Sequence, residues 1–405
     1  MRVLLVIAGL LSFTYSFTQT YAIVADKLID CKNEKVINNP TIIVSKNKIV
    51  DINYNHEVPA GAIIINLKGH TVLPGLMDVH THILAAGLDD YEKDLYDNSP
   101  SFRSLRAVAH LSTALQNGFT TLRDVCTEGA GFADVDIRRA IDSGFISGPR
   151  LFPSGKGMAA TGQYVPSPKN QNWEITLPSG TQYVSGNDEC IKAVREQVSR
   201  GVSWIKLYSD WRTPTFSFNE MKAIVGEAQR NNIPVAAHAT TKEGIRMAIL
   251  AGVKSIEHGT AFDDSLIQLA IKNQVYWCPT STVMEYYSGG KLQDNQYKFL
   301  NKAYQSKLKI VCGTDIGSFP WTINEAKELE YYVKKAGLTP MDAIKTATVN
   351  TAELLGIGDR LGLLEKGFIA DIIAVKGNPL NDIMLLQNVA FVMKDGKIYK
   401  QPIEK

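Results

Sequence analysis

Two histidines one residue apart, His80 and His82, close an apolar run that enters through Pro74-Gly75: Val72-Leu73-Pro74-Gly75-Leu76-Met77-Asp78-Val79-His80-Thr81-His82-Ile83-Leu84. No other stretch constrains the fold as much. Side chains alternate faces along a strand, so His80 and His82 are expected on one side and Val79, Thr81 and Ile83 on the other. Two neutral imidazoles then converge on one point and can share a borderline cation such as zinc. The same pattern also suits a strand whose two histidines are satisfied by neighbours. Ligands elsewhere in the chain must decide between the two readings.

From Tyr21 to Thr71 the sequence is short and alternating, broken by turn residues at Asn38-Asn39-Pro40 and Pro59-Ala60-Gly61. That texture predicts a small antiparallel sheet. It returns only near the other end, at Ala370 to Val375, Ala390 to Met393 and Lys394 to Tyr399. The two ends are therefore expected to pair into one small β-sandwich, residues 21–72 and 358–405, with 73–357 inserted between them. The insert repeats strand then helix, the signature of parallel α/β architecture. Eight apolar strand candidates appear: Leu76 to Ile83, Phe119 to Cys126, Arg150 to Ser154, Trp204 to Tyr208, Pro234 to Ala239, Ser255 to Gly259, Val275 to Pro279 and Ile310 to Thr314. Helical patterns between them include Ser101 to Gln116, Ser217 to Asn231, Lys242 to Ala251 and Ser265 to Lys272. Eight such units suit a (β/α)8 TIM barrel, which places its active site at the carboxyl ends of the strands. An open doubly wound sheet is the alternative, but no Gly-x-Gly-x-x-Gly follows the first strand.

Polar residues gather at those strand ends. The fourth strand carries Lys206 and Tyr208, the fifth His238, the sixth Glu257-His258 and the eighth Asp315. With His80 and His82, six potential ligands face one mouth, and this joint pattern favours metal over structural histidines. His56, His70 and His110 fall in a turn, before a strand and in a helix, and are read as structural or exposed.

Composition narrows the function classes. The chain of 405 residues has 43 basic and 41 acidic groups, a net charge of +2, and so no basic excess for nucleic acid. Met1-Arg2, an apolar run from Val3 to Leu11 and a polar exit to Thr20 read as a secretory signal, too short for a membrane span. Export to the periplasm or medium, with no stable membrane anchor after cleavage near residue 20, is the expectation. Five cysteines, odd in number and widely spaced, do not form a disulfide pattern, and Cys126, Cys278 and Cys312 read as buried thiols. The partner expected is a small-molecule substrate; a homo-oligomer is compatible with the sequence.

In combination the motifs resemble the amidohydrolase superfamily, in its imidazolonepropionase-like and dipeptidase-like branch. They are Leu73-Pro74-Gly75 through His80-Thr81-His82, Thr120-Thr121-Leu122-Arg123-Asp124-Val125, Trp204-Ile205-Lys206, Ala237-His238-Ala239, Ile256-Glu257-His258-Gly259, Gly313-Thr314-Asp315 and the tail Gly362 to Ile372. The resemblance spans essentially the whole chain after the signal. It implies a metal-dependent hydrolase barrel with two divalent metal ions, zinc by preference. His80, His82 and Asp315 would hold the more buried ion and His238 and His258 the more exposed one. Lys206 would bridge both as a carboxylated lysine, because a protonated amine would be repelled by two dications. A metal-bridged hydroxide would attack a C–N bond of an amide, peptide-like or cyclic amide. Asp315, the catalytic residue, would carry the proton to the leaving nitrogen.

Two departures put peptide specificity in doubt. Dipeptidase-like relatives often carry Gly-Gly-His after the third strand and a Tyr two residues beyond the fifth-strand His; here stand Thr161-Gly162-Gln163 and Thr240. The loop Gly155 to Tyr164, with Arg123, Gln163 and Tyr208, supplies the candidates for substrate contact, against a purely structural role for each. The competing readings are a mononuclear deaminase or true imidazolonepropionase, an ester or lactone hydrolase, and a catalytically silent binding module. Deaminases of this type place a Glu three residues after the fifth-strand His, where this chain has Thr241.

Overall fold

A computed structural model describes residues 19–55, 57–163, 179–211, 215–289 and 294–402. Most of the segment read as an export signal, along with His56 and Tyr164, lies outside the described residues.

Five strands run from the amino-terminal end: β1 (Thr20–Asp30), β2 (Lys35–Asn38), β3 (Thr41–Ser45), β4 (Lys48–Asn53) and β5 (Ile63–Pro74). The central region adds β6 (Leu76–Thr81), β7 (Phe119–Asp124), β8 (Arg150–Pro153), β9 (Gly157–Ala160), β10 (Thr181–Val184), β11 (Ile205–Tyr208), β12 (Val235–Ala239), β13 (Ser255–His258) and β14 (Tyr276–Cys278). The carboxyl-terminal end supplies β15 (Ile372–Lys376), β16 (Val389–Lys394) and β17 (Lys397–Lys400).

The two ends share one eight-stranded sheet in the order β17-β16-β15-β5-β1-β3-β4, with β2 on β1. The join is antiparallel, β5 to β15, with Leu73 opposite Ile373 and Val72 opposite Ala374. Alternation makes the register specific: Ile23, Ile42, Val72, Ile372, Phe391 and Met393 meet in one buried cluster drawn from both ends.

Between the ends the strands are parallel. One set runs β6-β7-β8 and the other β10-β9-β11-β12-β13-β14. Pro153 O at the end of β8 accepts from Ser203 N (2.8 Å), just before β11, and so joins the two sets. On the far side the segment 310–316 provides the eighth strand. Val311 N donates to Trp277 O (3.0 Å), Val79 N to Cys312 O (3.0 Å) and Asp315 N to His80 O (2.7 Å), which carries the ladder from β14 round to β6. The result is a (β/α)8 barrel in which the third strand, expected over Arg150 to Ser154, is β8 and is followed by a second short piece, β9, that pairs with β11.

Helices cover the outside, and their starts follow local chemistry. Ser217 and Glu220 form a reciprocal capping box at Phe218–Arg230, and the side chains of Thr241 and Asp263 cap Lys242–Ala251 and Asp264–Lys272. Met221, Ile224, Val225 and Ala228 of the first of these are buried against the barrel. The chain therefore returns to the amino end of each strand, and the loops at the carboxyl ends are left to build a site. All five cysteines are free and buried. No helix among the described residues is long and apolar enough to cross a membrane.

One buried carboxylate in this shell is lightly supported. Glu325 has no exposure, and Asn117 Nδ2 donates to its Oε2 at 2.7 Å. Burial pushes its pKa up to about 7 despite that hydrogen bond. The folded state thus holds a proton that the unfolded chain releases near the ordinary value of 4.5. Stability from this group is present at low pH and falls as pH rises from about 4.5 to about 7, by roughly 3 kcal/mol in all. Glu325→Gln removes the titration, so the melting temperature of the variant relative to wild type should be higher at pH 8 than at pH 5. A difference independent of pH would contradict this account.

Candidate active site

The barrel strands deliver the polar residues to one place. His80 lies next to the end of β6 and His82 just beyond it, Lys206 lies in β11, His238 in β12, His258 ends β13, and Asp315 lies near the end of the eighth strand. All six line a single cavity of about 430 Å³. Ring centroids step across it at 5.6 Å from His80 to His82, 4.8 Å from His80 to His258 and 4.6 Å from His258 to His238. Asp315 Oδ1 lies 3.2 Å from His82 Nε2 and 3.7 Å from His80 Nε2.

The local backbone is not the strict alternation expected from the sequence. The pairing of β6 with β7 shifts register between Asp78 and Thr81. Val79, expected opposite His80, packs with Met77, Trp204, Ala236 and Cys278 in an inner cluster. His258 and Asp315 take φ of 66° and 65°, left-handed values that are uncommon away from glycine. Each costs of order 1–2 kcal/mol and turns its side chain at the strand end. Gly313 has no room for a side chain: a Cβ there would sit 2.3 Å from Cys278 Sγ and 2.8 Å from His80 Cβ. Its absence lets the eighth strand close against β6.

The imidazoles are oriented from behind. His80 Nδ1 donates to Glu257 Oε2 at 2.8 Å, His82 Nδ1 to Cys126 O at 3.1 Å, and His258 Nδ1 pairs with Thr280 Oγ1 at 2.8 Å. With Nδ1 engaged, Nε2 of each ring is the nitrogen left able to bind a metal. Glu257 is itself fully buried. Arg123 Nη2 donates to its Oε1 at 2.8 Å, and Ser255 Oγ donates to the same oxygen at 2.5 Å. Burial would raise the Glu257 pKa, but the Arg123 charge and the hydrogen bond from His80 outweigh it and hold the group well below the usual carboxylate range.

The donor set suits a divalent metal. Ligand atoms of His80, His82 and Asp315 all lie within 4.8 Å of one another. Burial and the Lys206 charge push His80 down to about 4, and burial and the His80 charge push His258 down to about 3. Burial likewise carries His238 well below its ordinary value. Neutral imidazoles are the form that binds metal. His82 differs: burial would lower it, but its hydrogen bond to Asp315 and the charges of Asp315 and Glu128 lift it to about 9. For Asp315 burial works upward, and the charges of His80 and His82 hold the carboxyl below its ordinary range nonetheless. Lys206 is almost fully buried, and burial lowers its pKa toward the neutral amine.

The family model described as the amidohydrolase family matches residues 71–399, which span every one of these positions. The chain belongs to the amidohydrolase family. Among curated relatives, the ochratoxinase of Aspergillus niger is 31% identical over 90% of this chain and 84% of its own. The imidazolonepropionase of Thermoplasma volcanium is 23% identical over 86% of each chain. A crystal structure of an Xaa-Pro dipeptidase with bound methionine in its active site superposes with a TM-score of 0.84 and 34% identity, covering 94% of this chain and 100% of the other. This amidohydrolase is accordingly a metal-dependent hydrolase of carbon–nitrogen bonds that acts on a small-molecule substrate.

Of the three residues read as substrate contacts, the structure brings only Tyr208 to the cavity. Arg123 is fully buried beneath it: Nε donates to Val79 O at 2.6 Å, Nη1 to Ser255 Oγ at 3.1 Å and Nη2 to Glu257, with Trp204 under the guanidinium at 4.3 Å. Gln163 is likewise inside the protein, accepting from Ala160 N at 3.0 Å and donating to Tyr208 O at 3.1 Å. Both assignments are corrected to scaffold roles. Sequence reasoning gave no role to Glu257, although a charge beside His258 on a buried strand must be paired. It also passed over Glu128, four residues beyond β7, and Trp211, both on the cavity wall.

Glu257→Gln keeps the shape but weakens the hold on His80. Metal affinity measured by chelator competition should fall by roughly 10–100-fold, the usual cost of losing a partner behind a ligand. Unchanged affinity would show that His80 is oriented by packing alone.

Proposed function

We propose that the chain hydrolyses an amide bond in a small substrate with apolar or aromatic substituents, using two zinc ions. The observation that carries this reading is the convergence of His80, His82, Lys206, His238, His258 and Asp315 on one cavity. His80, His82 and Asp315 would hold one ion and His238 and His258 the second. Imidazole-rich sets of this kind favour zinc over harder cations. Lys206 suits a bridging carbamate, since the neutral amine favoured by burial is the form that adds carbon dioxide. Bound metal ions supply Lewis acidity toward the carbonyl oxygen and acidify the attacking water.

The chain's own residues do the rest. Asp315 is held ionised, and Ser318 Oγ donates to its Oδ1 at 2.7 Å, which fixes the carboxylate and leaves Oδ2 to take a proton from the attacking water and return it to the leaving nitrogen. Leu88, Met284, Tyr287 and Trp211 form a largely apolar rim to the cavity that accommodates an aromatic or branched group. Such a rim suits both substrate kinds named by the relatives, ochratoxin and Xaa-Pro dipeptides. Thr241 is committed to capping Lys242–Ala251 and to donating to Asp210 Oδ2 at 2.7 Å, which argues against the deaminase arrangement.

Metal-loaded protein assayed against Xaa-Pro dipeptides, N-acyl amino acids, ochratoxin, lactams and lactones should cleave amides. Asp315→Asn should lower kcat by roughly 100–10,000-fold, the range of positioned proton transfer. Lys206→Ala should reduce the zinc content per chain, read by elemental analysis. Cleavage of lactones only, or two zinc ions retained by Lys206→Ala, would overturn the reading. We also infer export, supported by the basic start and apolar run of residues 1–20. Amino-terminal sequencing of protein recovered outside the cytoplasm should find a start near residue 20, and an intact Met1 would argue against it.

A further inference from the structure

The helix Ser281–Tyr287 borders the cavity with Val283, Met284 and Tyr287, and it begins without the cap its own sequence offers. Thr241 and Thr339 cap the helices Lys242–Ala251 and Pro340–Thr346 in the ordinary way. Each has an extended backbone, φ −98° and −67°, and its side chain accepts from the amide three residues on. Thr280 stands at the same position of its helix with φ 51° and ψ 48°, and its side chain makes no capping hydrogen bond. A left-handed backbone is costly for a β-branched residue, so neighbours must hold it.

Glu328 does the capping instead. This fully buried carboxylate, in the first turn of the helix Lys327–Lys334, accepts from Ser281 N at 2.7 Å with Oε1, and from Thr282 N and Thr282 Oγ1, both at 2.7 Å, with Oε2. The Thr282 amide is one that a residue in the place of Thr280 normally takes. With that amide occupied, the Thr280 hydroxyl is turned to His258 Nδ1 at 2.8 Å, and Asp315 Oδ2, at 3.9 Å from the same nitrogen, is too far to replace it. The His258 backbone is held separately, since Trp277 Nε1 donates to its carbonyl at 2.9 Å, and so Thr280 governs the turn of the ring.

We infer that Glu328 is a positioning residue for the metal centre: by capping Ser281–Tyr287 from a neighbouring helix, it frees Thr280 to fix the imidazole of His258. The inference rests on the reading of His258 as a ligand of the second ion. Without Glu328 the chain would relax toward the extended cap, Thr280 Oγ1 would close on Thr282 N, and His258 Nδ1 would lose its partner.

The test compares zinc-loaded wild type with Glu328→Gln, Thr280→Val, Thr280→Ser and the double variant Glu328→Gln/Thr280→Val. Zinc affinity is read by chelator competition, and the His258 Nδ1–H by NMR after selective isotope labelling of histidine. Glutamine offers one acceptor oxygen where two are used, so Glu328→Gln should weaken one of the two zinc ions by roughly 10–100-fold and lose the His258 Nδ1–H resonance to solvent exchange. Thr280→Val should do the same, and Thr280→Ser, which keeps the hydroxyl, should not. The double variant should lose no more zinc affinity than Thr280→Val alone, because both substitutions act through one contact. An unchanged resonance or full zinc affinity in Glu328→Gln, or losses that add in the double variant, would overturn the assignment. If Glu328→Gln does not fold, Glu328→Asp, whose two oxygens stop one carbon short, carries the same comparison. A wild type that takes up a single zinc would sink the two-metal reading, and the resonance would still decide the role of Glu328.

Discussion

Glu257 carries a negative charge with no contact to water, and the catalytic end of the barrel is arranged around that fact. An isolated buried carboxylate is untenable, so three partners converge on it: Arg123 from β7, Ser255 from its own strand and His80 from β6. Removing one partner from such a buried pair typically costs about 3–5 kcal/mol, because the remaining charge is left uncompensated. The same contacts tie two neighbouring strands to one across the barrel. They also settle which nitrogen of His80 faces the cavity. Ligand geometry and core stability are thus one arrangement, and Arg123 belongs to it although it never reaches the site.

The site is assembled under backbone strain that a rigid scaffold can hold. His258, Asp315, Glu128 and Thr280 all take left-handed φ, and all stand just beyond or at the ends of barrel strands. In a mobile loop such conformations would relax. Here each is held by neighbours: Arg103 behind Glu128, the His80 carbonyl on the Asp315 amide, and Glu328 on the amides of Ser281 and Thr282 next to Thr280. Six polar groups are brought together without any of the six being placed by a long flexible segment.

Much of this was legible in the sequence, because the barrel writes itself as alternation of strand and helix patterns and the ligands stand at strand ends. His80 and His82 stood out by their alternation along one strand, and Lys206, His238, His258 and Asp315 by their places toward strand ends. What failed was direction. Arg123 lies at the end of a strand as the ligands do, but its length and charge are used underneath the site, where Glu257 demands a partner. Gln163 sits in a loop whose inward packing depends on β9, and Gly157-Met158-Ala159-Ala160 has none of the β-branched or aromatic residues that mark a strand. The break in alternation at β6 was equally hidden, since a register shift arises from pairing with β7 rather than from β6 itself.

The junction at Pro74-Gly75 also governs the order in which the chain can be completed. β5 lies inside the terminal sheet, between β1 and β15, and runs directly into the first barrel strand. Its partner β15 is synthesised roughly three hundred residues later, so one edge of β5 stays open while the whole barrel is being made. An unpaired edge of that length is a template for association with other chains. Folding of the barrel is then what brings β15 within reach, and the last strands made act as the seal on the first.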